Sequence, residues 1–140
     1  LAVRLGADGL HLGPTDLSPA EARRRWTGIL GVSARTVEGA RRAEGEGADY
    51  LGVGPVFGTA TKPDAPAAIG PARVAEIVAA VRIPVVGIGG VTADNAPQVL
   101  RAGASGVAVI SAVVGADDVE EAAARIRRAL DAVAGPPGRC

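Results

Sequence analysis

The stretch Gly47-Ala48-Asp49-Tyr50-Leu51-Gly52-Val53 decides the fold of this chain. Its first glycine follows an amphipathic segment, where it can end a helix in the left-handed conformation. The apolar run after it is typical of a buried strand. The phrase recurs as Gly6-Ala7-Asp8-Gly9 and as Gly103-Ala104-Ser105-Gly106, at spacings that each leave room for two strand–helix units. The chain is therefore predicted to be a series of βα modules.

Five strands follow from the apolar runs, at Gly9–Leu12, Ile29–Val32, Tyr50–Val53, Val85–Ile88 and Gly106–Ile110. Helix-start signals stand between them. Ser18-Pro19-Ala20-Glu21 has the capping-box spacing. The other predicted helix starts are Thr36 before Val37–Glu46, Gly70-Pro71 before Ala72–Val81, Thr92 for a helix through Ala102, and Asp117 or Asp118 for a helix through Val133.

Composition narrows the class of protein. The 140 residues are 48% hydrophobic but contain one Trp, one Tyr and one Phe, so the core is predicted to consist of aliphatic residues. Fifteen basic and fifteen acidic residues give a net charge of zero, which provides no overall field for nucleic acid or a membrane surface. The single cysteine, Cys140, excludes a disulfide framework and a cysteine-rich metal site.

The two ends of the chain also carry predictions. The sequence lacks methionine and begins with Leu1-Ala2-Val3-Arg4-Leu5-Gly6, which resembles the last turns of a helix, so we expect the carboxyl-terminal part of a longer protein. Residues 1–134 are predicted to form one domain and residues 135–140 a flexible tail. No bilayer-length apolar run or signal peptide is evident, which favours a cytoplasmic location.

Two α/β architectures fit alternating strands and helices. A doubly wound Rossmann sheet would place Gly-x-Gly-x-x-Gly after its first strand, and this motif is missing. A (β/α)₈ TIM barrel spreads its chemistry over the carboxyl ends of many strands. Polar or glycine-rich positions follow all five strands here, at His11, Asp16, Ser33, residues 59–62, Gly89-Gly90 and Ser111. We therefore predict a partial barrel of about five βα units that lacks the first three strands.

The loop after the third strand has the composition of a phosphate site. It runs Gly54-Pro55-Val56-Phe57-Gly58-Thr59-Ala60-Thr61-Lys62. Glycine allows the backbone to approach a ligand, hydroxyl and N–H groups donate hydrogen bonds, and Lys62 adds a point charge.

A second phosphate site is predicted at the next two strand ends. Gly87-Ile88-Gly89-Gly90-Val91 presents backbone N–H groups, and Val109-Ile110-Ser111 follows the last strand. The alternatives are a tight turn that needs glycine and a serine that caps a turn. Together the two loops occupy the usual phosphate position of such barrels.

Three side chains near the first two strands have competing interpretations. Asp16 can bind a hard metal such as Mg²⁺ or serve as a turn aspartate before Ser18. Ser33 can bond a phosphate oxygen or the backbone. His11 is expected to pack in the core rather than act as an acid or base.

The ordered series of motifs resembles thiamine-phosphate synthase. It comprises His11-Leu12-Gly13 with Asp16, Gly31-Val32-Ser33, Gly54 through Pro63, Gly87 through Val91, and Val109-Ile110-Ser111. The resemblance implies a (β/α)₈ barrel and a transferase of thiamine biosynthesis. That enzyme joins 4-amino-2-methyl-5-hydroxymethylpyrimidine diphosphate to a thiazole phosphate, releasing thiamine monophosphate and pyrophosphate.

The resemblance also implies residue roles. Asp16 corresponds to a Mg²⁺ ligand, and Ser33 and Lys62 to the contacts that bind the pyrimidine diphosphate and stabilise its departure. Thr59, Ala60 and Thr61 correspond to the thiazole-phosphate loop, with Gly90, Ile110 and Ser111 as its opposite wall.

The amino-terminal motifs of the family have no counterpart in this sequence. The Gln-x-Arg-x-Lys strand and the Asn-Asp pair, which supply further diphosphate and Mg²⁺ contacts, are absent from the sequence. We therefore expect the isolated chain to have little synthase activity.

Two alternatives remain open. One is a thiazole tautomerase, against which counts the absence of a nearby imidazole in Ser33-Ala34-Arg35. The other is a non-catalytic, truncated phosphate-binding half-barrel that forms homo-oligomers through its open edge.

Overall fold

The computed structural model describes residues 2–58 and 66–134, in which five strands alternate with helices up to β5 and two helices follow that last strand. The elements are α1 Ala2–Leu5, β1 Gly9–Leu12, α2 Pro19–Arg23, β2 Ile29–Ala34, α3 Val37–Gly45, β3 Tyr50–Val53, α4 Gly70–Ala80, β4 Val85–Ile88, α5 Ala96–Arg101, β5 Gly106–Ala108, α6 Ser111–Val114 and α7 Val119–Ala134. The α/β class is confirmed. No helix in the described part of the chain is long and apolar enough to cross a membrane.

All five strands lie parallel in one sheet, in the order β1-β2-β3-β4-β5. A doubly wound sheet reverses its strand order near the middle, and these five strands do not. Their register brings His11 beside Gly31 and Gly31 beside Tyr50, so three neighbouring strands present these residues at one level.

The sheet has a buried face and an open face because side chains alternate along each strand. Leu30, Val32 and Leu51 belong to the core, which they share with helix residues such as Val74 and Ile77. The intervening residues point the other way. Of these, Ile29 is 56% exposed and Ile88 is 37% exposed.

The predicted strands are confirmed with small shifts at their ends. β2 continues to Ala34, and β5 ends at Ala108 rather than Ile110. The short helix α6, which begins at Ser111, was not predicted. The recurring glycines Gly6, Gly47 and Gly103 have φ values of 62°, 97° and 92°. Each therefore ends its helix in the left-handed backbone conformation that was predicted.

Helix starts were predicted well except for α5. The Ser18–Glu21 capping box is present, and the Thr36 side chain accepts from Gly39 N. The Asp118 carboxylate likewise accepts from Glu121 N at the start of α7. The prediction for Thr92 was wrong, because a turn at residues 93–95 precedes α5 and the helix begins at Ala96.

An ion pair ties the amino ends of β2 and β3 together. Arg23 Nη2 donates to Asp49 Oδ2 at 2.5 Å, and the same guanidinium donates to the carbonyls of Gly28 and Gly47. Asp49 Oδ2 also accepts from Leu30 N at 2.7 Å. That backbone N–H, and then the Arg23 guanidinium, lower the pKa of the Asp49 carboxyl. These charged groups stabilise the fold at the amino end of the sheet, whereas the candidate site lies at the carboxyl end.

Candidate functional site

Three side chains form a hydrogen-bonded chain across β1, β2 and β3 on the open face of the sheet. His11 Nδ1 lies 3.0 Å from the Tyr50 hydroxyl, and His11 Nε2 lies 2.9 Å from Ser33 Oγ. Ser33 was predicted as a site residue, whereas the network that holds it was not. The strand register alone would have revealed it, since β1 and β3 both flank β2.

Two glycines make room for the imidazole ring. A Cβ at Gly31 would overlap the Tyr50 and His11 rings, and one at Gly52 would lie 2.9 Å from His11 Cε1. The expectation that His11 packs in the core was wrong. Because residues 10 and 12 of β1 face the helices, His11 faces the open side and is exposed.

The surroundings of the histidine ring favour its neutral form. Partial burial lowers the pKa of His11 below its ordinary value of 6.5, and the negative charge of Asp16 opposes that change. A neutral imidazole has one donor and one acceptor nitrogen, which suits two hydroxyl partners.

This environment predicts a pH dependence of stability. Since the folded protein binds fewer protons at His11 than the unfolded chain, the contribution is full above pH 6.5. It is lost as the pH falls through 6.5 toward the lower pKa of the folded state. An NMR titration of the chain's only histidine should give a pKa below 6.5, and Asp16→Asn should lower it further. A pKa above 6.5 in the folded protein would contradict this.

Asp16 lies in the β1–α2 loop with its carboxylate oriented by the backbone. Its Oδ2 accepts from Gly13 N at 2.7 Å. The turn interpretation is therefore correct, and the side chain is exposed at the carboxyl end of the sheet. The described residues contain no group of three or more His, Cys, Asp or Glu side chains that could hold a metal ion. Asp16 can supply one oxygen ligand.

A cavity of about 510 Å³ borders Asp16. Val32, Ala34 and Ala43 line it as well, which places it between the sheet and α3 rather than on the open face. Ser33 also lines it, so the cavity adjoins the His11–Ser33 network at the carboxyl end of β2.

The carboxyl ends of β3 and β4 are joined through their backbones. Val56 N donates to Ile88 O at 2.9 Å, and Phe57 N donates to Gly89 O at 3.0 Å. Gly90 has a φ of 63° and lies so close to the Phe57 backbone that a Cβ would overlap it. The predicted site residue Gly90 thus has two reasons to be glycine, its conformation and this contact.

Asn95 holds the glycine turn in place. Its Oδ1 accepts from Thr92 N at 2.8 Å, and its Nδ2 donates to Gly90 O at 2.9 Å. Asn95 stands at the N-cap position of α5, but its side chain braces the preceding turn instead of capping the helix.

Replacing Asn95 by alanine should loosen this turn. Two hydrogen bonds are lost, so we expect a loss of about 1–2 kcal/mol in the free energy of unfolding. Faster amide hydrogen exchange at Val91 and Thr92 should accompany it. Gln98→Ala, on the exposed surface of α5, is the matched control. Unchanged exchange in Asn95→Ala would show that the turn does not depend on this side chain.

The loop between β3 and α4 is anchored where the structure describes it. Ile69 N donates to Pro55 O at 2.9 Å, and Arg35 Nη2 donates to Ala67 O at 2.8 Å. The predicted residues Thr59, Ala60, Thr61 and Lys62 lie outside the described residues.

Ile110 and Ser111 follow β5 after one intervening residue, Val109. Ile88 pairs with Ala108 at the carboxyl ends of β4 and β5, so the segments that follow these two strands leave the sheet side by side. Ser111 opens α6, and Ile110 is 61% exposed. The glycine turn and the β5 end are therefore neighbours at the carboxyl edge of the sheet.

Comparison with known proteins decides the family. A family model described as thiamine monophosphate synthase matches residues 1–113. The chain belongs to the thiamine monophosphate synthase family. That match includes every described residue of the candidate site.

Relatives named thiamine-phosphate synthase agree with this membership. The Moorella thermoacetica protein is 54% identical over 133 residues, which cover 93% of this chain and 63% of the relative. The Chloroflexus aurantiacus protein is 53% identical over 128 residues, covering 91% and 59%. The chain thus spans about three-fifths of the length of these family members.

A solved structure supports the same family. The thiamine phosphate pyrophosphorylase from Pyrococcus furiosus superposes with a TM-score of 0.85 at 43% identity, over 96% of this chain and 64% of that one. The structure titled native KDPGal, at 22% identity and a TM-score of 0.72, shares the fold alone.

Proposed function

We propose that this chain supplies the carboxyl-terminal part of a thiamine-phosphate synthase. The observation that carries the proposal is the family match over residues 1–113, joined to Ser33 and the Gly89-Gly90 turn at one edge of a parallel sheet. In this proposal residues 1–134 are one domain, five of the eight βα units of a TIM barrel. The sequential strand order supports this, since a barrel adds its strands in one direction.

The thiazole phosphate occupies the end of the barrel over β4 and β5. Gly90 and the Ile110-Ser111 backbone form one wall, and Thr59, Ala60 and Thr61 supply the facing loop. The support is the Gly90 turn, with its positive φ and its hydrogen bond from Asn95, beside the end of β5. Backbone N–H groups held in this way bind anions without reorganisation.

The pyrimidine diphosphate lies toward β1 and β2. Ser33 donates to a diphosphate oxygen, and Lys62 neutralises the charge that grows on this leaving group. In the coupling, the bond between the pyrimidine methylene carbon and the diphosphate oxygen breaks, and a bond from that carbon to the thiazole nitrogen forms. Ser33 and Lys62 act on the departing oxygen atoms, so they are the proposed catalytic residues.

Asp16 fits one position in a magnesium site. Mg²⁺ commonly uses one or two carboxylates together with substrate phosphate oxygens and water. The exposed carboxylate of Asp16, oriented by a backbone N–H, is suited to be one of these carboxylate ligands. A bound Mg²⁺ would stabilise the diphosphate charge. Further ligands would have to come from the substrate and from the part of the enzyme that this chain does not span.

Small molecules are the proposed partners, together with the amino-terminal part of the barrel. The exposed Ile29 and Ile88 on the open face suit contact with the remaining strands. A second copy of the chain, paired through the open edge, is the alternative that gel filtration would detect.

A coupling assay tests the function. A chimera in which the amino-terminal third of the Moorella thermoacetica relative precedes this chain should form thiamine monophosphate from both substrates with Mg²⁺. The chain alone should bind the thiazole phosphate and couple little. A folded chimera that forms no product would contradict the proposal.

One observation favours a second candidate, a thiazole tautomerase. The argument that no imidazole lies near Ser33 was wrong, since His11 Nε2 is 2.9 Å from its hydroxyl. Incubation with the thiazole phosphate tautomer alone separates the two functions. Isomerisation without coupling would favour the tautomerase.

A further inference from the structure

The His11 ring gives its two hydroxyl partners unequal roles. A neutral imidazole carries one N–H and one bare nitrogen, and each ring nitrogen here has a single hydroxyl partner, Tyr50 on Nδ1 and Ser33 on Nε2. One hydroxyl must therefore donate to the ring, and the other must accept from it.

The two possible tautomers differ in where the Ser33 proton points. With the ring proton on Nε2, Tyr50 donates to Nδ1 and Ser33 accepts, which leaves the Ser33 proton free for another acceptor. With the ring proton on Nδ1, Ser33 donates to the ring and presents only lone pairs. The first arrangement favours an anionic ligand, and the second repels one.

The chemistry of the hydroxyls selects the first arrangement. A phenol is more acidic than an aliphatic alcohol, so the Tyr50 hydroxyl is a stronger hydrogen-bond donor than the Ser33 hydroxyl. Tyr50 is also half-buried, whereas Ser33 is exposed. The more acidic, more covered hydroxyl therefore donates to the ring, and the accessible one keeps its proton.

We propose that His11 and Tyr50 are positioning residues that direct the Ser33 proton toward an oxygen of an anionic phosphoanhydride ligand at the carboxyl edge of the sheet. This rests on the proposed function for the identity of the ligand, a diphosphate. Gly31 and Gly52 are part of the device, because side chains there would displace the ring. The lowered pKa of His11 is consistent with a neutral ring.

The first test reads the tautomer directly. The chain contains one histidine and one tyrosine, so ring ¹⁵N shifts at pH 7.5 report His11 without assignment ambiguity. We expect protonated Nε2 and bare Nδ1. Tyr50→Phe should shift the ring toward a mixture of tautomers while circular dichroism stays unchanged. A ring protonated mainly at Nδ1 in the unaltered chain would overturn the proposal.

The second test measures binding of inorganic pyrophosphate with Mg²⁺ by calorimetry. Ser33→Ala should weaken binding on the order of tenfold, as for a lost hydrogen bond to a charged group. Tyr50→Phe should weaken it by a smaller factor. Ser105→Ala, at the amino end of the sheet, should not change pyrophosphate binding.

A double-mutant cycle separates positioning from general damage. If Tyr50 acts through Ser33, adding Tyr50→Phe to Ser33→Ala should cause no further loss of pyrophosphate binding. Independent losses in the two variants would overturn the proposal, and so would a complete lack of pyrophosphate binding by the unaltered chain. Failure of the chimera to form thiamine monophosphate, with the cycle as expected, would reject the proposed function alone.

Discussion

Replacing Gly54 by alanine should destabilise the protein more than any other single methyl addition discussed here. We expect a loss of about 3 kcal/mol or more in the free energy of unfolding, because backbone atoms rather than a side chain would have to move. A Cβ at Gly54 would overlap the carbonyl oxygen of Ile88, which accepts from Val56 N at 2.9 Å. The link between β3 and β4 would have to open.

Urea denaturation with a matched variant measures this effect. Gly106→Ala adds a methyl group in β5, where no atom lies within 4 Å, and should change stability little. The Gly54 variant should also weaken thiazole-phosphate binding, since the Gly89-Gly90 turn pairs with the same loop. A Gly54→Ala protein as stable as Gly106→Ala would show that these strand ends can separate freely.

Replacing Lys62 by alanine should lower coupling by the chimera by about 10²–10³-fold, the range for loss of one preorganised charge contact. Lys62 is the only lysine in the chain. Because the proposed role lies in the departure of the diphosphate, the loss should fall on kcat more than on KM.

Two controls define the role of Lys62. Lys62→Arg keeps the charge but changes its shape and reach, so an intermediate rate is expected. Arg41→Ala removes an exposed cation from α3 and should leave the rate unchanged. If Lys62→Ala retains activity within fivefold of the unaltered chimera, the leaving-group role is wrong.

The strands and most helix boundaries could be predicted from local sequence patterns. The recurring glycines mark helix ends, and the apolar runs between them became β1 to β5 with small errors at their ends. The start of α5 was missed because the Asn95 side chain bonds back to Thr92 N and Gly90 O. Sequence spacing does not reveal which side-chain atoms a turn will use.

In the candidate site, too, some residues were predicted from local patterns and others were not. Gly90 and Ser33 were predicted as site residues because the carboxyl ends of parallel strands collect functional groups. His11 was assigned to the core because apolar neighbours surround it in sequence, and Tyr50 was taken only as part of a strand. Their contact joins residues 39 positions apart and requires glycine at residue 31.

Local chemistry along the chain thus accounts for the βα order, the helix caps at Ser18 and Thr36, and the glycine-rich strand ends. Backbone propensity acts over a few residues, so neighbouring residues in the sequence are enough to reveal it. The His11 network, the Asn95 brace and the Gly54–Ile88 contact arise only when parallel strands stand side by side. Strand register sets which distant atoms meet, and it follows from packing the whole sheet.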